Sequence, residues 1–111
     1  MGREKGGVRQ MRLMLTVRVP IDEGNELVKN GTLGENLQTI LEDIKPEAAY
    51  LSVIEGARGG YFVVDVDDAS QIPAVVEPFF LTAGATVQMH PVLTPEEFGR
   101  SSIDQVAQKY G

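Results

Sequence analysis

Cysteine and tryptophan are absent from this chain of 111 residues, and histidine occurs once. Without cysteine there is no disulfide, no thiolate nucleophile and no cysteine-ligated metal site, and this usage favours a cytoplasmic location. Basic residues are also few, since 10 lysines and arginines face 16 aspartates and glutamates and leave a net charge of −6. Because this surplus repels phosphates and anionic lipids, we predict neither nucleic acid nor a membrane as a partner.

Long hydrophobic runs are missing as well. The longest apolar run near the start is interrupted by Arg12 and Arg18, and it is too short for a bilayer span or the core of a signal peptide. Residues 1–10 are polar, contain glycine and show no periodicity, which predicts a disordered leader. Residues 11–111 are apolar enough for one core, so we expect a single domain whose last part, residues 94–111, forms a tail.

A hairpin is predicted in the middle of the chain. Ala48–Glu55 and Tyr61–Val66 are rich in aromatic and branched residues, which favour strands, and the glycine-containing residues 56–60 separate them. In this interpretation the glycines supply the positive φ of a tight connection, and Arg58 lies at its solvated tip.

Two further strands are expected near the ends of the domain. The first shows the period-two alternation of a half-buried strand and ends at Pro20. Its alternating apolar residues are Leu13, Leu15, Val17 and Val19. The last strand covers Ala85–Leu93, at an edge or strand end because Pro91 lacks a backbone donor. Between Ile21 and Asn30 the pattern leaves a loop and a single helical turn both open.

The first amphipathic helix is predicted to begin with a capping box in which Thr32 and Glu35 satisfy each other's backbone donors. It should end near Lys45, because Pro46 cannot continue a helix. The apolar residues at helical spacing are Leu33, Leu37, Ile40, Leu41 and Ile44.

The second helix is predicted to follow a cap at Asp68 or Ser70 and to tolerate Pro73 in its first turn. Pro78 should kink this helix or distort its last turn, because an interior proline removes a backbone hydrogen bond. Its apolar stripe consists of Ile72, Val75, Val76, Phe79 and Phe80.

The tail carries two more helix signals. Thr94 followed by Pro95 is typical of a helix start, and Ser102 with Gln105 opens a second short helix. The apolar side of that helix contains Ile103, Val106, Ala107 and Tyr110. An amphipathic tail needs a docking surface, either on its own subunit or on a neighbour.

The order of elements is strand, helix, strand, strand, helix, strand. This order is typical of an α+β ferredoxin-like fold, with an antiparallel sheet in the spatial order 4-1-3-2 and both helices on one face. The residues expected to face the helices are Leu13, Leu15, Val17, Val19, Leu51, Val53, Phe62, Val64, Val66, Val87 and Met89. The opposite face should hold an apolar patch of Met14, Tyr50, Ile54, Tyr61 and Val63. Exposed patches mark interaction sites, so we predict a homodimer or higher homo-oligomer that stacks sheet on sheet.

Three segments resemble muconolactone isomerase and its relatives in the dimeric α/β-barrel superfamily. They are Leu15–Asp22, Tyr61–Val66 and the pair His90-Pro91 at the end of the last strand. The resemblance extends over about residues 11–95. It implies a ferredoxin-like subunit that pairs through its sheet, in a group of cofactor-free isomerases, small monooxygenases and uncharacterised bacterial proteins. No catalytic residue is carried over from it.

Topology supplies one candidate site. The predicted strand order brings Arg12, Asp65 and His90 to one end of the face opposite the helices, with Asp65 and His90 about 9 to 10 Å apart across the strand between them. In a catalytic interpretation His90 transfers a proton, Asp65 is the second catalytic residue, and a substrate carboxylate binds Arg12 or Arg18. The further binding residues in this interpretation are Tyr61 and Gln88. In the structural interpretation, which we favour, His90 ends a strand and Asp65 pairs with Arg12.

Metal and phosphate sites are disfavoured. Residues 56–60 have no following helix and no lysine, so a turn explains them better than a phosphate loop or an RNA-binding tract. Asp65, Asp67 and Asp68 lack the arrangement of a cation site, and we expect neither a metal nor a cofactor. Two functions remain open: binding of a small organic molecule in an interface cavity, and, alternatively, cofactor-independent isomerisation or monooxygenation of a small carboxylate. The sequence identifies no substrate.

Overall fold

The computed structural model describes residues 11–111, so the predicted leader lies outside the described residues. Within that range four antiparallel strands form one sheet: β1 (Met11–Arg18), β2 (Ala48–Ile54), β3 (Ala57–Val66) and β4 (Thr86–Val92). Their spatial order is β2-β3-β1-β4, which is the predicted order read from the other edge. The architecture is therefore α+β with an open four-stranded antiparallel sheet, as the alternation of elements predicted.

The same residues contain five α-helices. These are α1 (Ile21–Lys29), α2 (Leu33–Ile44), α3 (Ile72–Ala83), α4 (Pro95–Gly99) and α5 (Ile103–Tyr110), and a 3-10 turn over Ala69–Gln71 precedes α3. The sequence left α1 undecided between a loop and one helical turn, but it is a helix of nine residues. Acidic residues in its first turn and Lys29 in its last turn complement the helix dipole.

The ends of the helices confirm some capping predictions and correct one. The capping box at Thr32 is wrong, because Thr32 has helical backbone angles and its side chain makes no cap hydrogen bond. Its hydroxyl donates instead to the Leu27 carbonyl at 3.5 Å, which joins α1 directly to α2. The helix α2 ends near Lys45, as predicted, and the structure shows Lys45 in the left-handed conformation. A full capping box forms at Thr94 and Glu97, at the start of α4.

Two outcomes concern the region around α3. Asp68 caps the 3-10 turn by accepting a hydrogen bond from the Ser70 backbone, as predicted for one of the two candidate caps. Pro78 lies inside α3, and α-helical structure continues past it to Ala83, so the predicted distortion of the last turn is wrong. Phe80 belongs to the predicted apolar stripe but is 40% exposed, because the buried side of α3 runs through Val75, Phe79 and Ala83.

The hairpin between β2 and β3 turns earlier than predicted. Glu55 and Gly56, with φ of 49° and 81°, form a two-residue connection in the left-handed region. Gly59 and Gly60 therefore lie within β3 rather than in the turn. Arg58 is in the strand too, so its predicted place at a solvated tip is wrong.

The core lies between the sheet and the helices. The Phe62 and Phe79 rings pack with their centroids 5.2 Å apart, which joins β3 to α3. The buried cluster consists of Leu13, Leu15, Val17, Ile40, Phe62, Val64, Val66, Val75, Phe79, Ala83 and Ala85. Most of the residues predicted to face the helices are thus buried. Leu51 and Val53 on β2 and Met89 on β4 are the exposed exceptions, and the buried cluster includes no residue of β2.

The chain ends in an exposed helix. Every residue of α5 is exposed, so of the two docking surfaces left open by the sequence, the helix does not bury its apolar side on its own subunit, and docking on a neighbour stays a prediction. No helix in the described part of the chain is long and apolar enough to cross a bilayer.

Candidate functional site

The register places the six predicted site residues on the sheet face away from the helices. Across the three strands β3, β1 and β4, Asp65 lies opposite Arg12, and Tyr61 lies opposite Thr16, which in turn faces Gln88. His90 lies opposite Met14, which is two residues along β1 from Arg12. Arg18 is at the far end of the same face, opposite Gly59. The predicted constellation of Arg12, Asp65 and His90 therefore shares one end of the sheet.

Arg12 does not form the predicted structural pair with Asp65. Its Nε donates to Glu47 Oε1 at 3.1 Å and its Nη1 to Glu97 Oε1 at 2.9 Å, and within residues 11–111 these are its ion pairs. The hydrogen bond to Glu47 raises the pKa of Arg12. The Thr94 backbone N–H, and the charge of Arg12 after it, lower the pKa of Glu97. Arg12 thus joins three segments and has its charge already balanced.

Arg18 also has partners. Its Nε donates to the Ile54 carbonyl at 3.2 Å and its Nη2 to the Glu55 carbonyl at 3.2 Å. These bonds attach the start of the β2–β3 turn to β1. Carboxylate binding by Arg18 would compete with them.

Asp65 and His90 are not in contact. One strand and a two-residue step along it separate them, so their Cα atoms are about 12 Å apart. Burial, and then the Glu47 carboxylate, raise the pKa of Asp65 against the opposing charge of Arg12. His90 itself is exposed on β4. A molecule could touch both residues only by lying across β1.

A cavity lies on the other side of the sheet, under the helices. Its volume is about 250 Å³, and it lies between β1, β2 and β3 on one side and α1, α2 and α3 on the other. Its apolar lining consists of Val17, Val19, Leu27, Leu33, Leu37, Ile40, Leu51, Phe62, Phe79 and Ala83. The polar side chains around it are those of Asn36, Ser52, Arg58 and Thr82. A mostly apolar lining with a few polar groups is typical of small-molecule sites.

Arg58 is the one charged side chain of this lining. Its Nη1 donates to Asn25 Oδ1 at 3.1 Å, and the residue is half-buried. Among residues 11–111 no carboxylate oxygen lies within 4 Å of its guanidinium. In the described part of the chain Asn25 is the hydrogen-bond partner of this guanidinium, which leaves most of its five N–H donors open there to an acceptor in the cavity.

Two glycines make this arrangement possible. A Cβ on Gly24, in α1, would lie 2.9 Å from Arg58 Nη1, so the missing side chain leaves room for the guanidinium. A Cβ on Gly60, in β3, would lie 2.7 Å from the Tyr50 carbonyl oxygen. Gly60 thereby lets the two strands approach closely at the base of the cavity.

The sequence interpretation missed this site because it placed Arg58 in a turn. A two-residue turn at Glu55-Gly56 moves residues 57–60 into the strand, where alternation points Arg58 toward the helices. Two features of the sequence could have indicated the site. The Glu55-Gly56 pair is suited to a two-residue hairpin turn, and Gly24 is a small residue in a mostly polar segment.

Comparisons with known proteins assign neither a family nor a function. No family model matches the chain, and no curated protein matches it significantly. Among solved structures, an uncharacterised protein, TM1266 of Thermotoga maritima, is similar over 77% of this chain and 100% of its own, with 21% identity and a TM-score of 0.46. The leucine response regulatory protein LrpA of Mycobacterium tuberculosis is similar over 76% of this chain and 51% of its own, with 15% identity and a TM-score of 0.44.

Proposed function

We propose that this protein binds a small, mainly apolar carboxylic acid in the cavity between the sheet and the helices. One observation carries the proposal: the half-buried guanidinium of Arg58 borders an apolar cavity of about 250 Å³ without a described carboxylate partner. A guanidinium binds a carboxylate through two parallel hydrogen bonds, which become stronger where water is excluded. The apolar lining would take the rest of the ligand.

The volume limits the size of the ligand. A dry protein cavity of about 150 Å³ is enough for benzene. A space of about 250 Å³ accommodates a single ring or a short branched chain that carries one carboxylate. A large cofactor such as a dinucleotide does not fit, and the proposal involves neither a metal nor a cofactor.

The resemblance to the muconolactone isomerase relatives suggests a different location. It predicts a ferredoxin-like subunit whose ligand lies between two stacked sheets, and the strand order with helices on one face is compatible with such a subunit. The cavity described above is on the helix side instead. Our proposal keeps the class of ligand, a small organic acid, and moves its site.

A cofactor-independent isomerase or monooxygenase is the alternative. It is favoured by His90 and Gln88, which are exposed next to each other on the same face of β4. Tyr61 lies on that face too, across β1 from Gln88. It ranks second because Arg12 and Arg18, its predicted carboxylate ligands, are engaged elsewhere. If a substrate is found, His90→Ala should abolish its turnover while affinity is kept; unchanged turnover would remove His90 from the reaction.

A ligand screen tests the main proposal. Aromatic and branched-chain monocarboxylates are screened by thermal shift, and those that stabilise the protein are titrated by calorimetry, beside the methyl ester of each. Hydrogen bonds to a charged group contribute about 1.5–3 kcal/mol, so Arg58→Gln should weaken binding at least tenfold. Arg100→Gln, at an exposed position in the tail, is the matched control and should bind normally. Equal affinity of acid and ester, or of Arg58→Gln and the wild type, would refute the role of Arg58.

A further inference from the structure

One edge of the sheet is left unprotected. In the described sheet β2 pairs with β3 alone, so its other side presents unpaired backbone groups. The strand reads AAYLSVI, with neither a charge nor a proline in its seven residues. Natural sheets protect such edges with lysine, proline or a covering segment, because an open edge pairs with other chains. The opposite edge strand, β4, contains Pro91, which follows that rule.

Apolar side chains are exposed on both faces of this edge strand. Leu51 and Val53, on the helix side, are 66% and 73% exposed, and Tyr50, on the opposite face, is 70% exposed. The patch predicted on the open face is only partly covered within the described chain: Ile54 is 8% exposed and Met14 and Val63 are half-buried, whereas Tyr61 is 37% exposed. The most exposed apolar side chains of the sheet are therefore those of β2.

We infer that β2 pairs antiparallel with β2 of a second copy of this chain, which joins two four-stranded sheets into one of eight. An antiparallel strand is complementary to itself about a twofold axis, so one strand supplies both sides of the interface. Two copies of a protein of net charge −6 repel each other, so they can associate only through surfaces that place no like charges at the centre of the interface. A second copy of β2 meets this condition.

The hairpin determines the register of this pairing. A two-residue turn closes on a hydrogen-bonded pair, here Ile54 and Ala57, so alternate residues of β2 bond to β3. Ala49, Leu51 and Val53 then direct their N–H and C=O groups outward. With the axis at Leu51, the pairs are Leu51 with Leu51 and Ala49 with Val53, which gives about six hydrogen bonds.

The acidic residues at the two ends of β2 are the main opposing charges. Glu47 and Glu55 would come near each other across the axis. Glu47 is neutralised by Arg12 at 3.1 Å, and Arg18 lies against the Glu55 backbone, with its Nη2 3.2 Å from the carbonyl oxygen. Each acidic end of the strand therefore has an arginine beside it.

The pairing would also complete the cavity. Leu51 and Ser52 of β2 line it, so its wall on this side is an exposed edge strand. A second copy beside β2 would cover that wall, and ligand binding would then strengthen pairing and pairing strengthen ligand binding. This coupling rests on the proposed function, whereas the pairing itself does not.

The size of the edge predicts a weak dimer. A seven-residue strand is about 23 Å long, and a sheet with a full helix layer would be about 20 Å thick, so two copies bury at most about 900 Å² at an edge that the helices leave exposed. Standard interfaces bury about 1,200 Å² or more. We therefore expect association that depends on protein concentration.

Single cysteines test the geometry, because the full chain has none of its own. In the proposed register the two Leu51 Cα atoms are about 5.5 Å apart, within the range of a disulfide, and the two Val53 Cα atoms are about 14 Å apart. Leu51→Cys should form a covalent dimer under mild oxidation, whereas Val53→Cys should not. Tyr61→Cys reports on stacking through the sheet faces. Equal cross-linking of the two β2 variants, or cross-linking of Tyr61→Cys alone, would overturn the inference.

Sedimentation across a concentration series provides the second measurement. Leu51→Lys should be monomeric where the wild type dimerises, and Leu81→Lys, at a leucine 82% exposed on α3, is the matched control. A monomeric wild type at every concentration, or equal weakening by both lysines, would also refute β2 pairing. If no carboxylic acid binds but Leu51→Cys still forms the covalent dimer, only the proposed ligand is rejected. If a carboxylic acid binds to a protein that stays monomeric at every concentration, only the pairing is rejected.

Discussion

Arg12 on β1 and Glu97 on α4 are 85 residues apart in the sequence, and Arg12 Nη1 lies 2.9 Å from Glu97 Oε1. The same carboxylate oxygen accepts the Thr94 backbone N–H at 2.7 Å. One side chain thus caps α4 and attaches the base of the tail to the sheet. Asp65, the predicted partner of Arg12, lies opposite it in the register. The pKa of Asp65 is raised, however, whereas the pKa of Glu97 is lowered.

The attachment of α4 should depend on pH. The pKa of Glu97 is lowered below its ordinary value of 4.5, first by the Thr94 backbone N–H and then by Arg12. A carboxylate with a lowered pKa stabilises the folded state fully above the unfolded pKa and loses this contribution as pH falls through the folded value. We therefore expect the protection of the α4 amides from hydrogen exchange, measured against their intrinsic rates at the same pH, to fall below about pH 4.5.

A charge variant separates the two roles of Glu97. Glu97→Gln keeps an acceptor for the Thr94 N–H but removes the charge that attracts Arg12. The α4 amides should then be less protected from exchange than in the wild type at neutral pH, and their protection should change less on acidification. Glu96→Gln, an exposed neighbour, is the control, and the same change in both variants would contradict the assignment to the Arg12 pair.

The contribution of Asp65 to stability should change with pH in the opposite direction from that of Glu97. Burial, followed by the Glu47 charge, raises its pKa above the ordinary 3.8, so ionised Asp65 is disfavoured in the folded state. Stability from this residue is present below pH 3.8 and decreases as pH rises through the folded pKa. Asp65→Asn should therefore raise the denaturation midpoint at pH 7, with little effect in acid. Asp67→Asn is the control, and a loss of stability at pH 7 in Asp65→Asn would contradict the expectation.

Gly60 and Gly34 form a matched pair for stability. A Cβ at Gly60 would lie 2.7 Å from the Tyr50 carbonyl oxygen and 3.1 Å from Leu51 Cδ2, so Gly60→Ala should destabilise the protein by about 1–3 kcal/mol. A Cβ at Gly34, in α2, would meet nothing within 4 Å. Gly34→Ala should stabilise by about 0.5–1 kcal/mol through helix propensity. Denaturant unfolding measures the free energy of unfolding of both variants. The same change in both would show that the close approach of β2 and β3 at Gly60 does not require a glycine.

Gly24→Ala should separate ligand affinity from stability. Its Cβ would lie 2.9 Å from Arg58 Nη1, the flexible end of a side chain, so the fold can adjust while the guanidinium moves. Helix propensity favours the alanine by about 1 kcal/mol. We expect an unchanged or higher melting temperature together with weaker binding of the carboxylate found for the wild type. Normal affinity with this variant would show that the position of Arg58 does not control binding.

Local patterns were enough for most of the elements. Alternation in β1, the apolar stripe of α2 and its stop near Lys45 depend on side-chain periodicity and backbone stereochemistry within a few residues. The strand order also followed from the chain, because two strand–helix–strand crossovers of one hand permit few arrangements.

The candidate site was harder, because small local differences change which side of the sheet a residue faces. A turn of two residues instead of five moved Arg58 from a solvated tip to the wall of the cavity. The helix α1, which supplies Asn25, begins after Pro20 without a side-chain cap, so the usual signal for a helix start is missing there.

The sequence by itself determined the α+β class, the antiparallel strand order and the alternation of side chains on β1 and β3, since short-range sterics and hydrophobic periodicity act along the chain. Only the tertiary structure decided that Arg12 binds Glu47 and Glu97, that a cavity lies beside Arg58, and that no segment of residues 11–111 covers the outer edge of β2. These depend on how far each helix extends sideways over the sheet and on which distant side chains meet, and no local pattern encodes either one.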